Sequence, residues 1–482
     1  MKKRNFLLIA CCVAVGILAE WLLVDHTFGL NVVLFATLYY CLFYWQMKGK
    51  RLMNRKIGFL LMFSILFLAL NYFLYWNIVL YLLNLIILPG LIIVHCVLIT
   101  RKKRVDWNSF GFIGYMFTFT CQWIAFAISR LLVPKKIFAS RMQVQSYRTL
   151  KMIVLGIFIS LPLVFFTGLL LMSADSHFAQ LVELLPLQML DFSIGDELAR
   201  LAFILIVSLL LYSFVRILRR NHTSYSTQKR DNEVKWEGII VITVLISLNG
   251  LYALFTFVQF QYFFSDTLIS GLTYADYARR GFFELIVVTL INWTIVVAVI
   301  KTMDMKSKKM NAIINALLSL LVGMSGIMLY SAGMRLTLYE EAYGFTMARI
   351  LAHAFMVWIG VILTFTFIKI WYKSLSLSRF YIISTLVFYS ALNIVDLNRL
   401  IVQKNLDRYQ ETEKLDLFYL QQISAAGTLG LIELYEENPD MPGLKEALIQ
   451  EKVEAEKNKE SWQSSNLVRK QEREALKDLE IR

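Results

Sequence analysis

The residues best suited to chemistry in this chain stand at the margins of long apolar runs. Residues 272–290 read "LTYADYARRGFFELIVVTL" and set Tyr274, Asp276, Tyr277, Arg279, Arg280 and Glu284 at the mouth of one such run. Asp175 and His177, with Glu183, Asp191, Asp196 and Glu197, follow another. Arg335, Tyr339, Glu340, Glu341, Tyr343 and Arg349, with His353 one turn further, form a third group, and Asn393, Asp396, Asn398 and Arg399 a fourth. Adjacent arginines suit phosphate or carboxylate, which accept from a guanidinium fork. A carboxylate such as Glu284, Glu340 or Glu341 could move a proton. Asp175 and His177 alternate, but no second histidine or cysteine stands at a ligand spacing, so no metal site is expected. No phosphate-cradling glycine loop, nucleophile elbow or kinase signature occurs, and no cofactor is expected.

Ionisable groups at membrane depth are costly unless paired or wetted, so they mark a site by default. The expected binding set is therefore Asp175, His177, Asp276, Tyr277, Arg279, Arg280, Glu284, Arg335, Tyr339, Glu341, Tyr343, Arg349 and Asp396. A purely structural role competes with it. Asp276, Arg280 and Glu284 recur every four residues and could stack as an ion ladder that seals a helix end. Tyr274 and Tyr277 could anchor the interface. Arg349 and His353 share one helix face, where a histidine commonly serves packing through a hydrogen bond.

The elements that must position these groups follow from composition. Of 482 residues 58% are hydrophobic and 17% charged, against about half and a quarter in a soluble domain. The apolar residues form runs of about twenty, the length that crosses a hydrocarbon core as a helix. The sequence predicts an all-α polytopic transmembrane bundle with spans at 5–24, 29–46, 57–76, 78–99, 152–172, 199–215, 237–260, 281–300, 311–330, 348–370 and 380–396. The five cysteines, Cys11, Cys12, Cys41, Cys96 and Cys121, lie inside apolar runs and read as small buried hydrophobes.

Net charge is +14, carried by short loops rather than by a nucleic-acid-binding motif, so no nucleic-acid partner is expected. The basic loops meet the lipid bilayer, including its anionic headgroups, and set orientation. Residues 107–129 are a further apolar segment. If they do not cross, the clusters at 2–4, 48–56, 101–104, 130–151, 216–235, 301–309 and 373–379 all fall on the cytoplasmic side. Only Arg200, Arg279, Arg280, Arg335 and Arg349 then oppose them before the last helix. If they do cross, the last four clusters fall outside. The first arrangement is preferred, with Gly111 and Gly114 suited to a bent or re-entrant segment and eleven crossings rather than twelve. It sets the N-terminus in the cytoplasm and the tail outside the plasma membrane. The regions are then 1–106, a four-helix membrane part; 107–150, a re-entrant or interfacial segment with a basic loop; 151–396, the main membrane core; and 397–482, a charged helical tail.

The tail has another composition, with 13 Lys/Arg against 17 Asp/Glu and no run long enough to span. Residues 414–437 and 443–460 read as amphipathic helices separated by the turn at 438–443. They suggest a small helical cap, with a disordered charged end after about residue 455.

"LLMSADSHF", "LTYADYARRGFFEL", "MRLTLYEEAYGFTMARI", "LDLFYLQQIS" and "SWQSSNLVRKQ" carry a resemblance. Over roughly residues 150–470 the chain resembles a bacterial multi-pass membrane family, domain of unknown function four-one-seven-three, and its sister four-one-five-three. The arginine pair and the pattern Arg335, Tyr339, Ala342, Tyr343, Gly344 are the most specific parts, and the first hundred residues match no motif. The resemblance implies an integral bacterial membrane protein and assigns no chemistry.

Three functions compete. The outer polar set could bind or transport an envelope-side solute, lipid headgroup or peptide, and this is the preferred reading. It could serve a membrane enzyme on a lipid-linked substrate, with a carboxylate as base and Arg279 or Arg280 on phosphate. Or the tail and loops could scaffold an envelope protein partner.

Overall fold

The computed structural model describes residues 2–49, 52–101, 106–131, 160, 195–219, 236–264, 282–302, 307–457 and 461–480. Among them every regular element is helical. Five helices precede residue 132: α1 (Lys2–Leu23), α2 (Leu30–Met47), α3 (Arg55–Leu74), α4 (Ile78–Thr100) and α5 (Phe110–Leu131). Six more reach residue 394: α6 (Gly195–Arg219), α7 (Gly238–Phe264), α8 (Phe282–Thr302), α9 (Lys308–Tyr343), α10 (Met347–Trp371) and α11 (Leu377–Ile394). The tail holds α12 (Leu397–Thr412), α13 (Leu417–Ile423), α14 (Ala425–Glu437), α15 (Leu444–Lys457), a 3-10 turn (Trp462–Ser464) and α16 (Leu467–Asp478). Helices α1 to α11 are each long and apolar enough to cross a membrane. Only a helix satisfies its own backbone in hydrocarbon, which is why these runs take that form. The molecule is an all-α polytopic membrane protein.

The chain divides into two compact units, and α3 and α4 contribute to both. One comprises residues 1–62, 89–226 and 461–465. Within it Arg200, near the start of α6, pairs with Glu20 and Asp25 at the end of α1. Arg216, near the end of α6, donates to Asn5 Oδ1 at 2.9 Å, so the two helices run antiparallel. Helix α5 is antiparallel to α6 as well: Trp123 Nε1 donates to the Leu210 carbonyl at 3.0 Å, and Phe119 meets Phe214 edge-on. The segment expected to re-enter or lie in the interface is one unbroken helix, long and apolar enough to cross, that packs along α6, and Gly114 interrupts nothing. The expected span at 152–172 lies outside the described residues. Tyr40 and His95 hydrogen-bond at 3.0 Å and Tyr39 and Cys96 at 3.3 Å, joining α2 to the second half of α4. Residues 461–465 close on the α1–α2 turn, where Trp462 meets Trp21 at 5.4 Å and Leu30 donates to the Ser465 carbonyl.

The other unit comprises residues 63–88, 227–460 and 466–482. Its membrane core centres on α9, whose buried residues 314, 318, 321, 325, 328, 332 and 335 recur at alternating steps of four and three. That seam takes the faces of α7, α8 and α10. Asn249 of α7 donates to the Leu317 carbonyl at 3.0 Å and Asn292 of α8 to Ser325 Oγ at 3.1 Å, the interhelical polar bonds that hold membrane helices in register. The sequence reading ended this span at 330, but α9 continues to Tyr343. Thirty-six residues make about 54 Å of helix against a hydrocarbon core of about 30 Å, so its last turns project.

The tail is more than a loose cap. Leu420, Leu431, Leu444, Leu448 and Leu476 are buried in a core of its own. The single helix expected over 414–437 breaks at Ser424, which caps α14 through its hydroxyl. Gly427 lies so close to α13 that a Cβ there would sit 1.9 Å from the Leu420 carbonyl oxygen. The disordered end expected after residue 455 is replaced by the rest of α15, the 3-10 turn and α16, whose Val468 and Leu476 are buried. Leu476, with Ala475 and Leu479 beside it, packs on the tail core, and Val468 packs on Ala425 and Ala426.

Candidate functional site

The corner where α9 gives way to α10 gathers the polar residues. Glu340 is 2% exposed and continues the buried side of α9 beyond Leu336. Its Oε2 lies 2.8 Å from His353 Nε2, in the second turn of α10. Its Oε1 is buried with no hydrogen-bond partner among the described residues. Such an oxygen costs about 1–3 kcal/mol unless a donor or a proton meets it. Arg335 is buried one seam position past Ala332. Arg349 donates to the Gly344 carbonyl and sets its guanidinium 4.2 Å above the Tyr339 ring, a cation–π contact. Tyr343 packs on Tyr339 at 4.9 Å and is otherwise exposed.

Side chains of the tail hold this corner. Asn405 of α12 donates to the Phe345 carbonyl at 2.8 Å and accepts from the Phe345 amide at 2.9 Å. Arg408 donates to the carbonyls of Glu341, Ala342 and Lys414, so a cation covers the negative end of α9. Tyr419 accepts from the Met347 amide at 3.1 Å, and burial raises its pKa. Gly344 ends α9 at φ +81°, and a Cβ there would lie 2.6 Å from Asn405 Oδ1. The turn needs glycine on both counts.

A second polar group closes the α3–α4 turn onto the α11–α12 junction. Asn77 donates to Asn398 Oδ1 at 2.9 Å, and Asn398 donates to the Trp76 carbonyl and Ser424 Oγ. Asn84 donates to Asn393 Oδ1 and accepts from the Tyr389 hydroxyl, while Asn71 donates to the Asn393 carbonyl. Asn466, ahead of α16, donates to the carbonyls of Tyr72 and Tyr75. Asp396 caps α12 through the Arg399 amide at 3.0 Å, and burial raises its carboxyl above the ordinary range.

The expected set thus divides. Asp175, His177, Asp276, Tyr277, Arg279 and Arg280 lie outside the described residues. Glu284 stands exposed in the first turn of α8. Arg335, Tyr339, Tyr343 and Arg349 share the corner. The expected set took Glu341, but Glu341 is exposed and its neighbour Glu340 is the buried carboxylate. Asp396 acts as a helix cap at another turn. Sequence reasoning omitted Glu340 and His353 from the set and missed Asn405, Arg408 and Tyr419 altogether. Helical spacing offered a signal only for the first, because Glu340 lies four residues past the buried Leu336.

Fold and corner together define a polytopic membrane protein with a helical extramembrane tail. The chain belongs to the family described as Domain of unknown function (DUF4153), whose model matches residues 62–434. The match falls on the family named above as the sister. It begins in α3, a region where no motif had been found, and ends before "SWQSSNLVRKQ". No curated protein and no solved structure matches the chain.

Proposed function

We propose that this membrane protein binds an envelope-side polar ligand, whether solute, lipid headgroup or peptide, at the α9–α10 corner, with the tail outside the plasma membrane. The observation that carries the reading is Glu340, a buried carboxylate held by His353 on one oxygen and without a hydrogen-bond partner among the described residues on the other. An unmatched buried acceptor beside an imidazole suits a ligand that brings a hydrogen-bond donor or a cation. Arg349 and the tyrosines flank it for an anionic or apolar part of the same ligand.

Orientation rests on the helices themselves. Lys301, Lys308, Lys309, Lys373 and Arg379 stand at one end of α8 to α11, and the corner at the other. Positively charged ends favour the cytoplasm, which supports an outward corner and tail. This argument does not depend on how the chain runs between α5 and α6.

A scaffold reading is favoured by one feature: the tail has its own core and grips the corner through Asn405, Arg408 and Tyr419. One measurement tests the sidedness and a second separates the two readings. A membrane-impermeant maleimide on whole cells should label Glu436→Cys and spare Lys373→Cys; the reverse would end the outward assignment. Thermal unfolding of the purified full chain, screened against amine-bearing and anionic envelope solutes, should find one that raises the wild-type midpoint and leaves Glu340→Gln unmoved. A protein partner captured equally by wild type and Glu340→Gln, with no solute effect, would favour the scaffold.

A further inference from the structure

The tail returns to the α1–α2 turn at residues 461–465, far along the chain from the last spanning helix, α11. Helix α1 has two faces: Leu8, Cys12, Val15, Ala19 and Leu22 are buried, while Phe6, Val13, Ile17 and Trp21 are exposed. An apolar stripe left exposed on a spanning helix has lipid for its medium. Trp21 ends that stripe about 24 Å along the axis from Asn5, against a hydrocarbon core of about 30 Å. The ion pairs of Arg200 with Glu20 and Asp25 stand at the same end, and charge is costly in hydrocarbon. Length and charge therefore agree that Trp21 stands where acyl chains give way to headgroups. An indole suits that depth, since its ring is apolar and its N–H seeks a polar partner.

Trp462 shares that depth. Its ring centroid lies 5.4 Å from that of Trp21, and each residue is 51% exposed. Contacts on both sides of Trp462 hold the segment there: Leu30 donates to the Ser465 carbonyl at 3.1 Å, and Ser461 Oγ hydrogen-bonds His26 Nδ1 at 3.0 Å. Gln463 and Ser464 are buried, so the 3-10 turn sets these two inward and leaves Trp462 outward. Gly29 permits the close approach, because a Cβ there would lie 2.6 Å from the Ser464 carbonyl oxygen. An indole turned outward gains nothing in water, whereas the headgroup layer takes both its ring and its N–H. We infer that residues 461–465 are a membrane-contact clip, which seats the Trp462 indole in the headgroup layer of the bilayer beside Trp21. The clip is separate from the α9–α10 corner. It requires neither a ligand there nor a choice of which side of the membrane faces out.

The test uses the full chain with fluorotryptophan at all ten tryptophans, held in phosphatidylcholine nanodiscs and read by fluorine NMR. The resonances lost in Trp21→Phe and Trp462→Phe assign the two indoles, and Trp462→Tyr serves if Trp462→Phe does not fold. In the wild type both signals should disappear when the phosphatidylcholine carries a nitroxide on its headgroup. Both should survive when the nitroxide sits at the end of the acyl chain. Gly29→Val drives Ser464 away, so in that variant the Trp462 signal should survive the headgroup nitroxide while the Trp21 signal is still lost. Should Gly29→Val not fold, the wild-type signals decide alone. A wild-type Trp462 signal that survives the headgroup nitroxide while that of Trp21 is lost overturns the inference. The indole then faces water or a second copy of the chain, which a soluble gadolinium chelate tells apart. Loss of the Trp462 signal beside the chain-end nitroxide also overturns it, since the ring would then lie in hydrocarbon.

Discussion

At the residue scale, burial decides what each polar group can do. Removing one member of a buried hydrogen-bonded pair strands the other, so His353→Leu should cost about 3 kcal/mol of stability. Glu340→Leu with His353→Leu should recover most of that loss, and a double-mutant cycle of thermal unfolding measures the coupling. A cycle with no coupling would mean that the pair contributes nothing. Asp396 provides a prediction with a sign. Burial raises its folded-state pKa, so the proton favours the folded protein. The penalty for the charged form is full above the raised value and absent below the unfolded one. Asp396→Asn keeps the cap acceptor without the charge and should match or exceed wild-type stability at pH 7, an advantage that shrinks through the carboxylate range as pH falls. Asp396→Ala should lose the cap, about 1 kcal/mol at low pH, and less at pH 7, where it also removes the penalty of the buried charge. Of these residues Asp396 was legible as polar chemistry in the sequence. Its role was not, because a cap is defined by the amide it faces, and only the turn into α12 supplies that amide.

At the element scale, the α9–α10 corner depends on α12 as much as on its own residues. Arg408→Ala should expose the carbonyls of Glu341 and Ala342 and cost about 1–2 kcal/mol, given that its hydrogen bonds are solvent-exposed. Gly344→Ala should cost at least as much, since the residue pairs a positive φ with a clash at Asn405. Hydrogen exchange localises either effect: amides in 340–350 should lose protection while those in the α9 seam near Leu321 keep theirs. Uniform loss across α9 would show that corner and seam unfold as one. Existence of the spanning helices was plain in the sequence, because twenty apolar residues need no partner to declare themselves. The extra turns of α9 were not, since "RLTLYEEAY" looks like loop until Arg335 and Glu340 find buried positions.

At the scale of the whole molecule, the tail titrates with the fold. Glu451 is raised by burial and by Glu472 and Glu454 beside it, so folding of the tail takes up a proton there. Tail stability should rise as pH falls from 7 toward the ordinary carboxylate range, and Glu451→Gln should flatten that slope in circular dichroism melts. A slope of the opposite sign would assign tail stability to other carboxylates. Composition alone determined that the chain is helical, crosses a membrane many times and ends in a polar tail, because a hydrocarbon solvent admits few structures and each span satisfies its own backbone. It also gave the alternation of basic and non-basic ends. Which apolar segment runs unbroken, which of two adjacent glutamates is buried and that α16 docks were decided only by tertiary packing. Each depends on a partner in another element: Trp123 on Leu210, Glu340 on His353, Asn466 on Tyr72. Local sequence carries no record of such partners, since the free energy of a buried hydrogen bond exists only once both halves have left the solvent.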